Sequence, residues 1–162
     1  MTTKGDRMTP PTVTHDTFVI ERTYDSPIAN VFRAWADPER KARWFAGSAD
    51  ALGNAYTLDF RAGGREVNRG GPPDGPVYTY TAEFRDIVLD TRIVATTEML
   101  AGETRISVTL ATVEFYESGA ATRLVLTEQG AYLDGLETAA QREHGTRALL
   151  DSLATSLAAS ET

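Results

Sequence analysis

Apolar and polar residues alternate along two parts of the chain, and a period of two is typical of β-strands with one buried face. The first part is a single strand over about residues 16–24, in which Phe18 and Ile20 share a face. The second part, residues 55–129, contains six strands separated by turns rich in glycine. Because consecutive strands are joined by hairpins, we expect one antiparallel sheet of seven strands.

Two short helices are predicted between the first strand and the rest of the sheet. Ser26 is a good N-cap and Pro27 a good first residue for one helix, while Asp37 and Pro38 end it and begin the next. Gly47 is expected to end the second helix. The apolar residues recur at helical spacing and are Ile28, Val31, Phe32 and Trp35, then Ala42, Trp44 and Phe45.

A long C-terminal helix is predicted over about residues 134–159, which contain no proline and many Ala, Leu and Glu residues. Asp134 is the expected N-cap, with Glu137 completing a capping box. At about 100° per residue, Glu143 falls near the middle of the apolar stripe, with Thr146 beside it and Arg147 at its edge. The stripe itself consists of Leu136, Ala139, Leu150, Leu153 and Leu157.

One strand of the predicted sheet changes phase along its length. Ile106, Val108 and Leu110 share one face, but the next apolar residues are Val113 and Phe115. This slip predicts a β-bulge near residues 111–112, and a bulge would bend the sheet around the helix.

These elements together indicate an α+β fold. The expected architecture is a helix-grip: a seven-stranded curved antiparallel sheet around a long C-terminal helix, with two short helices after the first strand. Residues 1–14 have no apolar periodicity and are predicted to be a flexible leader, and residues 15–160 a single domain.

Composition excludes several classes of function. The formal net charge is −7 and the sequence pI about 4.8, without a basic patch, so we expect no nucleic-acid or membrane partner. There is no cysteine, and His15 and His144 are the only histidines, which disfavours a metal site or a histidine-based triad. No cofactor is expected. Without a membrane span or a signal peptide, the simplest location is cytoplasmic.

Two stretches of the chain carry recognisable signatures. The first consists of Asp25-Ser26-Pro27, Val31-Phe32, Ala34-Trp35, Asp37-Pro38-Glu39 and Arg43-Trp44-Phe45, and the second of Asp59-Phe60-Arg61-Ala62-Gly63-Gly64. Together they resemble the activator of heat-shock protein 90 ATPase homologue family of the START-like (SRPBCC) superfamily. The resemblance covers about residues 17–157. It implies the helix-grip fold, and that superfamily includes lipid carriers, polyketide cyclases, resistance proteins and stress-related regulators.

The resemblance has one departure that bears on a binding site. Relatives often have Gly-Trp within the last helix, whereas here Gly145 is followed by Thr146. A bulky wall is therefore missing, and we expect a larger cavity between the helix and the sheet.

Each group of candidate ligand-binding residues has a structural alternative. Aromatic residues of the short helices either pack in the core or form a pocket rim. Arg61 either pairs with Asp59 at the surface or binds a ligand carboxylate. Glu143 either pairs with Arg147 or anchors a ligand. The candidates are Trp35, Trp44, Phe45, Arg61, Tyr78, Tyr80, Phe84, Glu143, Thr146, Arg147 and Leu150, with Ile106, Val108 and Leu110 as further apolar wall.

The leading functional hypothesis is a protein that binds a small hydrophobic molecule in this cavity. The first alternative is an enzyme, similar to a polyketide cyclase or a hydratase, acting on an aromatic substrate with Glu143 as acid or base. The second is a chaperone-linked or regulatory adaptor. No catalytic residue is assigned, and the oligomeric state is open, with a homodimer as one option.

Overall fold

The computed structural model describes residues 9–46 and 55–160, which form seven strands and three helices. All strands lie in one antiparallel sheet, in the order β1-β7-β6-β5-β4-β3-β2, so the predicted fold class is confirmed. The elements are β1 (Val13–Tyr24), α1 (Ile28–Ala36), α2 (Pro38–Phe45), β2 (Ala55–Leu58), β3 (Arg65–Gly70), β4 (Tyr78–Val88), β5 (Arg92–Ala101), β6 (Thr104–Ser118), β7 (Ala121–Leu133) and α3 (Ala139–Ser160).

Strand β1 begins earlier than the sequence pattern indicates. Val13 pairs with Leu133 of β7, so residues 13 and 14 of the expected leader belong to the sheet. Thr12 is also tied to the loop after β7, because its amide donates to Asp134 Oδ1 at 3.0 Å. Polar residues at the start of β1 hide this segment from a search for apolar alternation.

The predicted bulge near residues 111–112 is misplaced. The β5–β6 register shifts between Met99, opposite Ser107, and Leu100, opposite Arg105, which makes Ile106 the extra residue. A second irregularity occurs in β4 between residues 84 and 86.

This bulge position reverses the expected orientation of two β6 residues. Val108 and Leu110 are 42% and 38% exposed on the outer face, while Ile106 is buried. Ser107 and Thr109, which are buried, alternate with them. The sequence-based assignment was wrong because it took the apolar residues as the inner set, and here hydroxyl residues occupy the inner positions.

The starts of the helices differ in how they are capped. Asp37 caps α2 as predicted, since its Oδ1 accepts from the amides of Glu39 and Arg40 at 3.0 and 3.1 Å. Ser26 does not cap α1: Pro27 is the N-cap residue, and Ser26 Oγ accepts from the Asn30 side chain instead. The predicted end of α2 at Gly47 lies outside the described residues.

Helix α3 begins five residues later than predicted. Its capping box is formed by Thr138 and Gln141. The Thr138 amide donates to Gln141 Oε1 at 3.0 Å, and the Gln141 amide donates to Thr138 Oγ1 at 3.1 Å. Asp134 has a positive φ of 57° and lies in the preceding turn, so it is not the N-cap. Leu136, expected in the apolar stripe, is 52% exposed because it precedes the helix.

The C-terminal half of α3 carries its tightest packing. Leu150, Leu153 and Leu157 are each at most 4% exposed and join the core formed with the inner face of the sheet. Tyr24 of β1 donates a hydrogen bond to the Leu150 carbonyl at 3.0 Å. This helix packs mainly against α2 and β1, which leaves space between its first half and the middle strands.

Candidate functional site

A cavity of about 300 Å³ lies between the sheet, the two short helices and the first half of α3. Inward positions of β4, β5, β6 and β7 form its floor, since alternate residues of a strand face the same side. The lining is mostly apolar and aromatic, and includes Trp35, Phe45, Tyr80, Phe84, Val113 and Leu126. The resulting space is enclosed by hydrophobic walls with a few charged groups.

The structure brings together seven of the eleven candidate residues at this cavity. They come from α1, α2, β4 and α3, and they are Trp35, Trp44, Phe45, Tyr80, Phe84, Thr146 and Leu150. Each of them lies on the side of its element that faces the cavity.

Arg61 lies outside the cavity. Its Nε contacts Asp59 Oδ2 at 2.9 Å, and the two side chains are 67% and 57% exposed. The turn after β2 fixes this arrangement, since a side chain at Gly64 would collide with the carbonyl oxygen of Asp59. The proposed carboxylate clamp is therefore wrong, and the surface ion pair is the correct alternative.

Tyr78 is likewise not part of the cavity wall. It is the first residue of β4 and pairs with Gly70 and Ala101 at the end of the sheet, where it is 40% exposed. Tyr78 and Tyr80 face the same side of the sheet because they are two residues apart on β4, but the cavity does not extend as far as Tyr78.

Glu143 pairs with Arg147 along α3, outside the cavity. Arg147 Nη2 lies 2.7 Å from Glu143 Oε2, and neither residue lines the cavity. Glu143 was predicted to face the cavity, but the residue one position earlier, about 100° around the helix, does so instead. The charged residue that α3 presents to the cavity is Arg142.

Arg142 forms a buried ion pair with Glu128 of β7. Its Nε and Nη2 both donate to Glu128 Oε1, at 3.1 and 3.0 Å, and the two side chains are 11% and 5% exposed. Thr109 Oγ1 donates to the same oxygen at 3.1 Å and also contacts the hydroxyl of Thr97. The Arg142 guanidinium carbon lies 5.5 Å from the centroid of the Tyr80 ring.

Neighbouring charges keep Arg142 protonated, and burial keeps the hydroxyl of Tyr80 neutral. Burial alone would lower the pKa of Arg142, but the charges of Glu128, Tyr80 and Glu137 outweigh burial and raise that pKa. Burial and the Glu66 charge raise the pKa of Tyr80 well above its ordinary value of 10. Arg142 is therefore a fixed cation, and Tyr80 a neutral phenol, at neutral pH.

A second buried ion pair links α2 to β3. Lys41 Nζ lies 2.8 Å from Glu66 Oε2, and the side chains are 4% and 2% exposed. The ammonium also lies 4.3 Å from the Phe45 ring centroid, 4.9 Å from that of Trp35 and 5.4 Å from that of Trp44. Three aromatic faces and one carboxylate therefore replace the water that the ammonium loses.

Tyr56 completes the contacts of this pair. Its hydroxyl donates to Glu66 Oε2 at 2.5 Å. Burial, together with the charge of Glu66 and this hydrogen bond, raises the pKa of Tyr56 far above its ordinary value of 10. The tyrosine is therefore a neutral donor at neutral pH.

Sequence reasoning missed all four members of the two ion pairs. Lys41 lies three residues before Trp44 on the same helical face, and Glu128 continues the inward alternation of Leu124 and Leu126. Those spacings were available signals, but charged residues at inward positions are usually interpreted as solvent-facing. Arg142 also precedes Thr146 and Leu150 at helical spacing, whereas Glu66 had no comparable signal.

The described residues contain no group of three His, Cys, Asp or Glu side chains that could hold a metal ion. None of the helices in the described part of the chain is long and apolar enough to cross a membrane. The cavity lining itself offers apolar and aromatic surface and a few buried charged groups.

A curved antiparallel sheet around one long helix, with two short helices after the first strand, defines the helix-grip class of the START-like superfamily. Residues 25–158 match the family model of activator of Hsp90 ATPase homolog 1-like proteins, so the chain belongs to that family. The resemblance of the two sequence signatures is thereby confirmed. Comparison with curated proteins gives no match.

Two similar solved structures come from rhizobia. A protein of Rhizobium leguminosarum is 45% identical with a TM-score of 0.86, and the match covers 92% of this chain and 98% of that one. The Mll3558 protein of Rhizobium loti is 46% identical with a TM-score of 0.83, over 90% of this chain and 99% of that one. These chains share the whole domain.

A more distant neighbour shares the fold alone. DynU16, a protein in the dynemicin biosynthetic locus, is 19% identical with a TM-score of 0.64. The match covers 88% of this chain but only 47% of DynU16.

Proposed function

We propose that this protein binds a small, mostly apolar molecule in the cavity between the sheet and α3. The observation that carries the proposal is the cavity itself, about 300 Å³ of space between hydrophobic and aromatic walls. Small-molecule sites are typically about 300–1,000 Å³, so this volume suits a molecule of one or two rings.

Packing energetics support the proposal. Protein interiors are close-packed, and empty volume costs about 24 cal/mol per Å³ in measured large-to-small substitutions. A bound molecule would recover the dispersion contacts that the cavity walls lack. The buried charges do not oppose an apolar ligand, because Lys41 and Arg142 already have carboxylate partners.

The test is to fill the cavity from α3. Thr146 lines the cavity, whereas Ala148 on the same helix is exposed, so Thr146→Trp and Ala148→Trp form a matched pair. We expect Thr146→Trp to abolish fluorescence enhancement of a hydrophobic dye at little cost in stability, and Ala148→Trp to leave dye binding unchanged. Destabilisation by about 1–3 kcal/mol would show that the site is already well packed, contrary to the proposal.

Native mass spectrometry of freshly purified protein provides an independent measurement. A bound molecule should appear as a mass increment in the native chain and be absent from Thr146→Trp.

A second candidate is an enzyme similar to a polyketide cyclase, acting on an aromatic substrate. The observation that favours it is the hydrogen-bonded group of Tyr56, Glu66 and Lys41, whose charged members border the apolar cavity. An ammonium ion in such surroundings could polarise a substrate carbonyl or enolate oxygen. This candidate predicts consumption of enolisable aromatic ketones by the native protein, and no consumption after Lys41→Met with Glu66→Gln. A carrier would bind the same ketones without consuming them.

A further inference from the structure

Three residues that line the cavity each have one buried polar atom without a hydrogen-bond partner: Trp35 at Nε1, Arg142 at Nη1 and Glu137 at Oε1. The Trp35 atom belongs to α1, whereas the atoms of Arg142 and Glu137 belong to the first turns of α3 and the segment before it. A buried donor or acceptor without a partner costs about 1–3 kcal/mol, so such atoms call for an explanation.

The geometry of the guanidinium explains why Arg142 is left incomplete. Its planar fork points Nε and Nη2 at Glu128 Oε1, at 3.1 and 3.0 Å. Nη1 lies on the other edge of the same plane and cannot reach that carboxylate. The ion pair thus fixes the guanidinium while leaving one donor group unused.

Glu137 is positioned independently of Arg142. It precedes the capping box of Thr138 and Gln141, which fixes the first turn of α3. A carboxylate there is also stabilised by the positive end of the helix dipole. The charge of Glu137 contributes to raising the pKa of Arg142, so the two side chains interact electrostatically. They are not hydrogen-bonded to each other through these two atoms.

These two atoms together call for a functional group that both accepts and donates a hydrogen bond, and a hydroxyl is the smallest such group. A hydroxyl can accept from Nη1 and donate to Oε1 at the same time, whereas a carbonyl or ether can only accept. A carboxylate is disfavoured, because the cavity lining carries three carboxylates, of Glu66, Glu128 and Glu137, against the cations of Lys41 and Arg142.

We propose that the molecule bound in the cavity is a hydroxylated aromatic compound, a phenol or aromatic alcohol, whose hydroxyl bridges Arg142 Nη1 and Glu137 Oε1. The inference rests on the proposed function, because it assumes that the cavity holds a ligand. It goes further by assigning the ligand's polar group and the two residues that recognise it.

The test compares three probes of similar shape. 2-Naphthol offers a hydroxyl, 2-methoxynaphthalene an acceptor only, and 2-methylnaphthalene neither. Calorimetric titration of the native protein should give at least about tenfold tighter binding of 2-naphthol than of the other two, equivalent to about 1.4 kcal/mol.

Two matched glutamate variants test whether the preference for 2-naphthol depends on the carboxylate at the cavity. Glu137→Leu removes the carboxylate at the cavity, while Glu143→Leu removes one that pairs with Arg147 outside it. We expect Glu137→Leu to reduce the preference for 2-naphthol to about twofold or less, and Glu143→Leu to retain it. A second variant, Arg142→Met with Glu128→Gln, removes the donor together with its partner's charge and should also abolish the preference.

Failure of the inference differs from failure of the proposed function. Equal binding of the three probes to the native protein would overturn the hydroxyl bridge and leave an apolar binding site. Retention of the preference in Glu137→Leu would overturn it too, as would a bound water that stays between Arg142 and Glu137 in a complex with 2-naphthol. Absence of binding by all three probes and by the hydrophobic dye would overturn both.

Discussion

The cavity is bordered by two buried ion pairs, and they differ in how completely their atoms are used. In the Lys41 pair (Lys41 with Glu66), the ammonium has a carboxylate and three aromatic faces, and the carboxylate has a tyrosine donor. In the Arg142 pair (Arg142 with Glu128), one guanidinium nitrogen has no partner. The first pair is complete without a ligand, whereas the second is not.

This difference shows how to separate structural from functional charges in an interior. Both pairs are buried to a similar extent, so burial alone does not distinguish them. The distinguishing quantity is the number of hydrogen-bonding atoms left without a partner. By that measure, the Lys41 pair needs no further partner, and the Arg142 pair is the one that we propose to contact a ligand.

The largest expected effect is on the Lys41 pair. Lys41→Met leaves the Glu66 carboxylate buried with only Tyr56 as a partner, and removing one member of a buried pair typically costs about 3–5 kcal/mol. Denaturant unfolding measures the loss, and adding Glu66→Gln should recover most of it. Arg105→Met, which breaks an exposed pair with Glu98, is the control and should cost at most about 1 kcal/mol. A double variant as unstable as the sum of both single variants would contradict this account.

Alkaline pH should lower the free energy of unfolding through the buried tyrosines. Burial raises the pKa of Tyr132 to about 12 and that of Tyr56 still further, whereas an unfolded tyrosine has a pKa of about 10. The contribution of these tyrosines to the free energy of unfolding should therefore be fully present below about pH 10 and be lost progressively above it, until the folded tyrosines ionise. Each such tyrosine contributes a slope of about 1.4 kcal/mol per pH unit.

Urea unfolding at about pH 9 and about pH 11 measures this fall. Tyr56→Phe should reduce the difference between the two values, while Tyr78→Phe, at a residue 40% exposed, should leave it as in the native protein. An equal fall in the native protein and in Tyr56→Phe would show that Tyr56 does not contribute.

A smaller effect is expected at the start of α3, which positions Arg142 and Glu137. Thr138→Ala removes the capping box with Gln141 and should destabilise the protein by about 1 kcal/mol in thermal or denaturant unfolding. Thr155→Ala is the control, since that hydroxyl contacts only the Asp151 carbonyl within the helix and the alanine favours the helix. Equal stability of Thr138→Ala and the native protein would show that the cap is dispensable.

The smallest effect concerns the Glu143–Arg147 contact along α3, outside the cavity. The side chains are 32% and 43% exposed, and helix pairs of this spacing are worth about 0.2–0.5 kcal/mol. A cycle of Glu143→Gln, Arg147→Met and the double variant should give a coupling energy in that range. Coupling above about 1 kcal/mol would instead place this pair among the buried ones.

The fold could be predicted from the sequence because the buried face of each strand and helix can be recognised from residues that are close together in the chain. Alternation in β4 and β7, and spacing in α1 and α2, depend on neighbouring residues only. The errors arose where local signals were weak. Serine and threonine fill inward positions of β6, and the start of α3 was assigned to Asp134 because a polar residue three positions ahead of Glu137 matches a capping box.

The aromatic walls of the site followed from the same local patterns, but its charged groups did not. Lys41 and Glu66 are 25 positions apart, and Glu128 and Arg142 are 14 apart, on different elements in each case. Whether a charge is buried depends on a partner that only the tertiary structure supplies. An error of one residue on α3 then exchanged Arg142 for Glu143, which inverted the predicted charge of the site.

The burial of Lys41 also has a consequence for covalent chemistry. Lys4 and Lys41 are the only lysines in the sequence, and Lys41 is the one that the structure describes. Its amine lies 2.8 Å from Glu66 Oε2, and its side chain is 4% exposed and lines the cavity, so a reagent can approach it only from the cavity. The rate of acylation of Lys41, followed by peptide mass spectrometry, therefore reports how readily a small molecule enters the cavity.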